Sequence, residues 1–587
     1  MPQHIAHWID GKERAHHGAR TSAVHDPATG QALAEVELAD TATVGEAVRA
    51  AEVASDAWRR TSLSHRTHIM FRFRQILHER AEELAAIITA EHGKVLSDAL
   101  GEVTRGLKVV EFACGMPHLL KGGFSEGVSS GVDVHSIRQP VGVSAIISPF
   151  NSPVMVPMWV FPVAIAAGNA VILKPSERDP SAAIWLAQRF HEAGLPPGVF
   201  NVVNGGKIAV DVLLEHEGVS SISFVGSTPV AKYVYEKGTS NGKRVQALGG
   251  AKNHMLMLPD ANVELAADAA VNAGFGSAGE RCMTISAIVA VEPIADELVK
   301  HIVERIGRLK TGDGRRNCDM GPLISREHQS KVVSYLESGI EAGAQLVVDG
   351  RDIDDVDGGP NGYWLKPTLF DHVSPNMAIY SNEICGPIYS ILRVSSYDDG
   401  LRLINHNPYG NGAAIFTNDG GAARRFQYDV EIGMVGINVP IPVPVAYYSF
   451  GVWKSSLRAI PLSAAVEHLS RSAHRPSPCG ERPHTAGSSG SARVEGATMC
   501  CTEGDSPFIA FRRYPRARNR GRPLLHARQS GDFALARAQP WWPQPRVPRA
   551  HMIRVTTGRP SSSVGNHCTM TALLGQCGTW IAQNSAE

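Results

Sequence analysis

Short apolar runs alternate with amphipathic stretches between residues 140 and 250. Runs of this length that are apolar throughout are typical of strands buried on both faces of a sheet. The stretch 181–194 repeats apolar residues at intervals of three and four, which predicts a helix that ends at Gly194. Alternating strands and helices predict a parallel sheet that binds ligands at the carboxyl ends of its strands. The predicted strands are VGVSAIIS (141–148), AVILK (170–174), VFNVV (199–203), SISFV (221–225) and RVQAL (244–248).

A second α/β pattern follows the first, so the chain is predicted to hold two α/β domains. Two amphipathic helices are also predicted nearer the amino terminus, at 43–60 and 65–94. The elements of the second pattern are helix 262–279, strand 285–292, helices 294–310 and 327–343, and strand 344–350.

The composition is that of a globular protein. Of the 587 residues, 43% are hydrophobic, and Lys plus Arg equal Asp plus Glu at 57 each, which argues against a disordered or nucleic-acid-coating chain. The sequence has no apolar run of about 18 residues, and its amino terminus lacks the pattern of a signal or transit peptide. We therefore expect a bacterial-type cytoplasmic protein without a membrane or nucleic-acid partner.

Residues 459–587 differ chemically from the rest of the chain. They hold 16 Arg, no Lys, 7 acidic residues, 12 of the 36 Pro and 5 of the 9 Cys, without the apolar periodicity of a core. Region 458–587 is therefore predicted to be a disordered, Arg/Pro-rich tail, and its composition is typical of a GC-rich gene translated in a shifted frame after about Ser456. A genuine basic arm for RNA or an acidic partner is the alternative.

Two polar motifs follow predicted strands at one edge of the first sheet. Gly226 and Ser227 link strand 221–225 to a helical stretch, where backbone N–H groups would face an anion. Strand 170–174 ends at Lys174, and Glu177 follows three residues later, so that an ammonium and a carboxylate could hold the hydroxyls of a ribose. An ordinary connector and surface residues are the alternatives for these motifs.

Cys282 lies between a Gly-rich loop and an apolar strand. Loops at strand ends often carry a nucleophile, and a thiol needs a lowered pKa to be a thiolate near neutral pH. The neighbouring Arg281 is expected to contribute to lowering the pKa of Cys282. A buried structural cysteine is the alternative.

Seven motifs resemble, in order and spacing, the aldehyde dehydrogenase superfamily over about residues 5–457. They are PFNSPV (149–154), KPSE (174–177), AGLPPGVFNVVNG (193–205), FVGST (224–228), GERC (279–282), NEICGPI (382–388) and NPYGNGAAIFT (407–417). Two further runs, RGLKVVEFACGMPH (105–118) and GAKNHMLMLPDAN (250–262), resemble its CoA-acylating methylmalonate-semialdehyde dehydrogenase branch.

The resemblance implies an α/β fold of the aldehyde dehydrogenase type. Its parts would be a Rossmann-type NAD-binding domain (1–121 and 141–249), an α/β catalytic thiol domain (250–438) and a small β oligomerisation arm with bridging segments (122–140 and 439–457). The family's C-terminal strand, which completes a neighbouring subunit's sheet, is expected to be missing. The family's homodimer or homotetramer is therefore expected to be weakened.

The resemblance also implies a role for each site residue. Cys282 would attack the aldehyde, and Asn151 would stabilise the oxyanion together with the Cys282 backbone N–H. A carboxylate at the adenine ribose favours NAD over its 2′-phosphorylated form. The residues implied for NAD are Phe150, Lys174 and Glu177 (the last two at the adenine ribose), Gly226 and Ser227 at the pyrophosphate, and Glu383 at the nicotinamide ribose. A capping or salt-bridging acid is the alternative for Glu383.

Hydrolytic relatives carry a Glu base two residues before a Gly-Gly pair, where this sequence has Ala247. Without that base, attack by the CoA thiol on the thioacyl enzyme is favoured over attack by water, and the alternative is that another acid substitutes. Arg105 and Arg281 are expected to bind a substrate carboxylate, with a surface position as the alternative.

The implied reaction is the NAD-dependent oxidative decarboxylation of methylmalonate or malonate semialdehyde with CoA, giving propionyl-CoA or acetyl-CoA, as in valine or inositol catabolism. No metal ligand set is recognised. The alternatives are a hydrolytic aldehyde dehydrogenase that makes the free acid, and an inactive or misassembled protein of this fold with an RNA-binding tail. Three departures from the family pattern are Cys385 for Phe, and Ala231 and Val452 for Gly; Val452 would strain a backbone of positive φ.

Overall fold

The computed structural model describes residues 3–16, 18–442, 445–448, 451–459 and 470–478. The chain divides into two compact units, Met1–Ala486 and Gly487–Glu587, and the second lies outside the described residues. The predicted disordered tail, with its RNA-binding alternative, therefore falls almost wholly outside them. Within the described ranges, no helix combines the length and the apolar character that a membrane span requires.

The strands follow one another along the chain as β1 (Gln3–Ile5), β2 (His7–Ile9), β3 (Lys12–Arg14), β4 (Arg20–His25), β5 (Ala32–Leu38), β6 (Phe124–Ser129), β7 (Val132–Pro140), β8 (Val143–Ile147), β9 (Ala170–Lys174), β10 (Phe200–Val202), β11 (Val219–Val225), β12 (Arg244–Leu248), β13 (Asn253–Met257), β14 (Ile285–Val291), β15 (Gln345–Val348), β16 (Thr368–Asp371), β17 (Ile388–Val394), β18 (Tyr409–Gly410), β19 (Gly412–Phe416), β20 (Met434–Ile437), β21 (Trp453–Lys454), β22 (Leu457–Ala459) and β23 (Ser470–Pro478).

The helices are α1 (Thr41–Trp58), α2 (Leu63–Glu79), α3 (Ala81–His92), α4 (Leu96–Cys114), α5 (Met116–Leu119), α6 (Met155–Met158), α7 (Phe161–Ala166), α8 (Ser181–Glu192), α9 (Lys207–Glu215), α10 (Thr228–Ser240), α11 (Val263–Phe275), α12 (Ala295–Ile306), α13 (Arg326–Glu341), α14 (Ala378–Ser381), α15 (Tyr397–His406) and α16 (Gly420–Asp429). A 3₁₀ turn, Gly276–Gly279, follows α11.

An eight-stranded sheet has the order β22-β12-β11-β8-β9-β10-β2-β3. Its five central strands, from β12 to β10, are parallel, as the alternating pattern predicts. Alternate residues of β8 face opposite apolar clusters: Ala145 and Ile147 pack into the cluster of α1, α9 and α10, and Ile146 into that of α2, α4 and α8. The sheet is thus covered on both faces, which explains why its strands are apolar throughout.

A seven-stranded sheet forms the second α/β part, with the order β15-β16-β17-β14-β13-β19-β20. Every pair in it is parallel except β15 with β16 at one edge. The predicted strand 344–350 is therefore the short antiparallel edge strand Gln345–Val348.

The single helix predicted over 65–94 is wrong, because the chain forms α2 and α3 with a break at Arg80. Arg80 has φ −117° and ψ 25°, outside the helical range. Glu82 and Glu83 lie in the first turn of α3, where carboxylates favour a helix amino terminus. These two acids indicate the start of a second helix within the amphipathic pattern.

The described residues include one further strand near their C-terminal end, β23, which pairs within this chain. The expected loss of a strand that completes a neighbouring subunit's sheet stays a prediction. β23 pairs antiparallel with β7 along Ser470–Pro478 and completes a three-stranded sheet, β23-β7-β6. An edge strand can form through backbone hydrogen bonds without alternating apolar residues, and it tolerates proline. The Arg/Pro-rich composition therefore gave no indication of this strand. The described residues of segment 439–457 do not join this sheet: β21 pairs with β18, and Leu457 begins β22 of the eight-stranded sheet. The homodimer or homotetramer stays a prediction.

Candidate functional site

A cavity of about 260 Å³ lies at the carboxyl ends of β11 and β12, whose last residues, Val225 and Leu248, contribute to its wall. Helix α4 with the residue Lys94 before it, the segment 152–159 after β8, the segment 452–456 and loops of the seven-stranded sheet supply the rest of the lining. This is the strand edge at which the sequence predicts a ligand. Its charged and polar lining residues include Lys94, Asp98, Glu102, Arg105, Ser152, Ser277, Arg281, Cys282 and Asn411.

The loop that carries Cys282 begins earlier than the predicted helix 262–279 allows. Helix α11 ends at Phe275, and Ser277, Ala278 and Gly279 then have φ of 50°, 53° and 72°. Left-handed backbone costs roughly 1–2 kcal/mol for each residue with a side chain. Asp98 compensates part of this cost, because its Oδ2 accepts hydrogen bonds from Ser277 N (2.8 Å) and Oγ (3.0 Å).

Two asparagines hold the Cys282 backbone in place. The amide groups of Asn253 and Asn411 donate to the Cys282 carbonyl oxygen at 2.9 and 3.0 Å. Asn253 also donates to Thr284 O and accepts from Gly412 N. The sequence analysis missed both residues; the only signal was their place inside the quoted motifs.

The environment of the Cys282 thiol opposes ionisation. Burial, with a further contribution from the Glu383 carboxylate, raises the pKa of Cys282 to about 11, while Arg105 acts in the opposite direction. The expectation that Arg281 lowers this pKa is not met, because its guanidinium is bound to the Asp98 carboxylate at 2.5 Å.

The charges around the cavity single out Arg105. Lys94 pairs with Glu102 at 2.7 Å, and Arg281 pairs with Asp98. Arg105 has no ion pair or hydrogen bond with any residue in the described part of the chain, and burial together with nearby Arg281 lowers its pKa. An unpaired guanidinium in a partly buried cavity can bind an anion through two parallel hydrogen bonds.

Gly226 and Ser227 lie at the amino terminus of the 13-residue helix α10. Ser227 is the N-cap residue, yet its side chain makes no capping hydrogen bond, and Gly226 N donates to Leu248 O at 3.1 Å. The free hydroxyl and the helix dipole therefore suit a phosphate group. Residues on this turn fit the pyrophosphate of a dinucleotide.

The remaining residues predicted for the cofactor lie on neighbouring loops. Lys174 ends β9 and pairs with Glu177 at 3.3 Å. Phe150 packs against His92 and His328, with the Arg178 guanidinium 5.6 Å from its ring centroid.

Glu383 lies against the turn that follows β12. Its Oε1 accepts from Ala251 N at 3.0 Å, and burial raises its pKa. A Cβ at Gly250 would overlap the Glu383 carboxylate, so a side chain at this position would displace that carboxylate from where it lies.

Asn151 does not itself line the cavity; Ser152, the next residue, does. The structure gives no hydrogen bond of the Asn151 side chain within the described residues, whereas its backbone carbonyl accepts a hydrogen bond from Lys94 Nζ at 2.8 Å. Asn151 is thus next in the chain to a residue of the cavity wall, and its role as oxyanion donor stays a prediction.

No free carboxylate lies where hydrolytic relatives have their base. Ala247 is fully buried in β12 and packs into the apolar cluster of α9 and α10. Of the described residues, Asp98 and Glu102 are the acids that line the cavity, and each accepts from a cation and from backbone N–H groups. Neither is available to take a proton from water.

The three departures from the family pattern differ in effect. The expected strain at Val452 is absent, because this residue is not in the positive-φ region; Cys385 is, with φ 60°. Ala231 lies on α10 and is fully buried. The backbone around Cys385 is held by His328, whose Nε2 lies 2.6 Å from the Cys385 carbonyl oxygen.

Glu280, two residues before Cys282, is a fully buried carboxyl group whose nearest basic neighbours among the described residues are His92 and His328, with Nε2 atoms 3.8 and 3.5 Å from its oxygens. Its Oε1 accepts from Ile324 N at 3.2 Å, and burial raises its pKa from 4.5 to about 8. Because the pKa of Glu280 is higher in the folded than in the unfolded state, its contribution to the free energy of unfolding is fully present below about pH 4.5. This contribution is lost as the pH rises through about 8.

We therefore expect Glu280→Gln to leave the free energy of unfolding nearly unchanged at pH 5 and to raise it by about 2–4 kcal/mol at pH 8. Urea denaturation at both pH values measures this difference. Glu297→Gln, at an exposed position of α12, is the matched control. Equal effects of Glu280→Gln at both pH values would contradict the assignment.

A second group of side chains brings potential metal ligands together, although the sequence analysis recognised none. Ligand atoms of His7, His16 and Glu37 lie within 4.8 Å of one another. His7 Nδ1 accepts from Asn204 N, so in neutral His7 the proton is on Nε2, the atom that faces Glu37. That protonated nitrogen is not free to bind a cation, and burial lowers the pKa of His7 to about 4.

Comparison with known proteins places these observations in a family context. Residues 14–469 match the model of the Aldehyde dehydrogenase family, so β23 begins just after the match ends. Malonate-semialdehyde dehydrogenase of Pseudomonas aeruginosa is 51% identical over 455 residues, which cover 77% of this chain and 91% of that protein.

Two crystal structures are similar to this chain at a TM-score of 0.80. One is from Sinorhizobium meliloti 1021, solved as a methylmalonate-semialdehyde dehydrogenase complexed with NAD, with 48% identity. The other is methylmalonate-semialdehyde dehydrogenase from Oceanimonas doudoroffii, with 47% identity. Each similarity covers 81% of this chain and 98% of the solved one.

Proposed function

Because this chain belongs to the aldehyde dehydrogenase family, we propose that it oxidises malonate or methylmalonate semialdehyde, with NAD as the hydride acceptor and CoA as the thiol that releases the product. The products are acetyl-CoA or propionyl-CoA, NADH and carbon dioxide. The observation that carries the proposal is the Arg105 guanidinium, which no described residue pairs with and which lies in the same cavity as Cys282. The names of the similar proteins support the same substrate class.

Arg105 binds the substrate carboxylate and brings the aldehyde carbon to Cys282. The Cys282 sulfur, as thiolate, then forms a bond to that carbon, and the carbonyl oxygen becomes an oxyanion that the Asn151 amide and the Cys282 backbone N–H stabilise. NAD supplies the acceptor for the hydride that leaves this carbon. A thioacyl group remains on Cys282.

Release of the acyl group depends on the nucleophile available. Ala247 cannot take a proton, and the acids that line the cavity are held in ion pairs. Water therefore lacks an activating base, whereas the CoA thiol is intrinsically more nucleophilic and needs less assistance. Its sulfur displaces the Cys282 sulfur and regenerates the free thiol.

Loss of the carboxylate follows from the product's own chemistry. Oxidation of the semialdehyde gives a thioester with a carboxylate on the carbon next to the thioester carbonyl. Breaking the bond to that carboxylate releases carbon dioxide and leaves an enolate that the thioester stabilises. A proton from solvent then gives the acetyl or propionyl group.

The test is NADH formation from methylmalonate semialdehyde with CoA, without CoA, and with S-methyl-CoA, whose thiol is blocked. We expect one equivalent of NADH per active site without free thiol, and continuous turnover at least about tenfold faster with CoA only. Mass spectrometry should identify propionyl-CoA. Rapid continuous turnover to the free acid in buffer alone would instead identify a hydrolytic enzyme.

A further inference from the structure

A buried ion pair lies beneath the loop that carries Asn151. Lys94, just before α4, and Glu102, on its second turn, have side chains that are only 3% and 2% exposed, and their charged atoms are 2.7 Å apart. Both side chains line the cavity that holds Cys282. We call this pair the Lys94–Glu102 brace.

The brace contacts the loop on both sides of Ser152. Lys94 Nζ donates to the Asn151 carbonyl oxygen at 2.8 Å. Glu102 Oε1 accepts from Val154 N at 2.9 Å and from Met155 N at 3.0 Å. The two members of one ion pair therefore hold residues 151 and 154–155 of the same loop at fixed positions.

The loop has few other backbone contacts to define its shape. Pro149 and Pro153 have no N–H group, and the N–H groups of Phe150, Asn151 and Ser152 donate to no acceptor within the described part of the chain. Neighbouring hydrogen bonds begin at Ser148, which donates to Lys174 O, and at Val156, which donates to Ser152 O.

Burying two charges is costly unless hydrogen bonds satisfy their remaining donors and acceptors. Here the remaining hydrogen bonds go to the loop backbone rather than to solvent. A less costly apolar pair could fill the same volume, but it would not donate to a carbonyl or accept from two N–H groups. The geometry is thus suited to positioning rather than to stability alone.

We propose that Lys94 and Glu102 are positioning residues that set the place of Asn151 relative to Cys282. The inference rests on the proposed function, because Asn151 matters only as a donor to the oxyanion of the aldehyde. The brace itself does not touch the reacting atoms. It acts through the backbone of the Asn151 loop.

The test is a double-mutant cycle on the NADH burst rate. Lys94→Met/Glu102→Met removes both charges together, so that neither is left buried alone. We expect it to lower the burst rate by about 10- to 100-fold, with the KM for NAD changed less than about threefold. In an Asn151→Ala background the same pair should change the burst rate less than about threefold. If the brace variant lowers the burst rate by the same factor in the Asn151 and the Asn151→Ala backgrounds, the two sites act independently and the proposal is overturned.

A second measurement does not depend on the substrate. Hydrogen exchange at the Val154 and Met155 amides should become at least about tenfold faster in Lys94→Met/Glu102→Met. Lys207→Met/Asp211→Leu, which removes an ion pair on α9, is the matched control and should leave both amides unchanged. Unchanged exchange in the brace variant would overturn the proposal. A wild-type enzyme inactive on the semialdehyde would refute the proposed function alone, because the exchange result still decides whether the brace holds the loop.

If Lys94→Met/Glu102→Met fails to fold, Lys94→Met/Glu102→Gln serves in the burst-rate measurement. The Glu102→Gln change keeps one acceptor oxygen for Val154 N and Met155 N, whereas Lys94→Met removes the donor to the Asn151 carbonyl. The burst rate should again fall in the Asn151 background and change little in the Asn151→Ala background. A fall of the same size in both backgrounds would overturn the proposal.

Discussion

Cys282→Ala is expected to lower NADH formation from methylmalonate semialdehyde by at least about 10⁴-fold, even at saturating CoA. The substitution removes the atom that bonds to the aldehyde carbon, and Cys385, the thiol on the neighbouring loop, lies on a backbone of φ 60° and is not among the residues that line the cavity. Stopped-flow absorbance should show no burst. Mass spectrometry of the variant should find no acyl adduct.

Cys114→Ala is the matched control for this substitution. Cys114 ends α4, away from the cavity lining, and burial raises its pKa to about 11, as it does for Cys282. Its loss should leave turnover within about twofold of wild type. Substantial turnover by Cys282→Ala would show that another group forms the covalent intermediate.

Arg105→Met is expected to lower kcat/KM for methylmalonate semialdehyde by about 10²–10³-fold. Truncating one partner of a buried, hydrogen-bonded charge pair costs about 2–5 kcal/mol. Arg105 is not paired with any described residue, so its loss would leave the substrate carboxylate without a cation. Steady-state kinetics at saturating NAD and CoA measure this loss.

A neutral aldehyde separates charge recognition from damage to the site. Propanal has no carboxylate, so Arg105→Met should change its kcat/KM by less than about fivefold. Arg105→Lys keeps the charge but loses the bidentate geometry and should fall between wild type and Arg105→Met. Equal losses for both aldehydes would mean that Arg105 supports the structure of the cavity and not its selectivity.

The apolar pattern predicted the positions of most strands because complete burial leaves a signal in adjacent residues. Strands 170–174 and 244–248 have the predicted bounds, and the cavity lies at the predicted end of the sheet. The α2–α3 break was concealed, because the amphipathic period continues across Arg80. Strand β23 was concealed for the opposite reason, since backbone pairing at an edge requires no apolar residue.

The site was predictable where one motif carries its own chemistry, as with Cys282 and Ser227. Its electrostatics were not, because they depend on pairs distant in the chain. Asp98 binds Arg281 across 183 positions, and this pairing changes which of two arginines is left for the substrate. No local pattern contains that information.

Asn253 holds the backbone that carries the reacting sulfur. This one side chain joins the Cys282 segment to the start of β14 and β19, and it stands at the first residue of β13. The backbone that carries the nucleophile is therefore hydrogen-bonded to three adjacent strands of one sheet and does not lie on a loop that moves independently of it. We therefore expect heat inactivation to coincide with melting of that sheet, because the Cys282 segment cannot unfold before the sheet does.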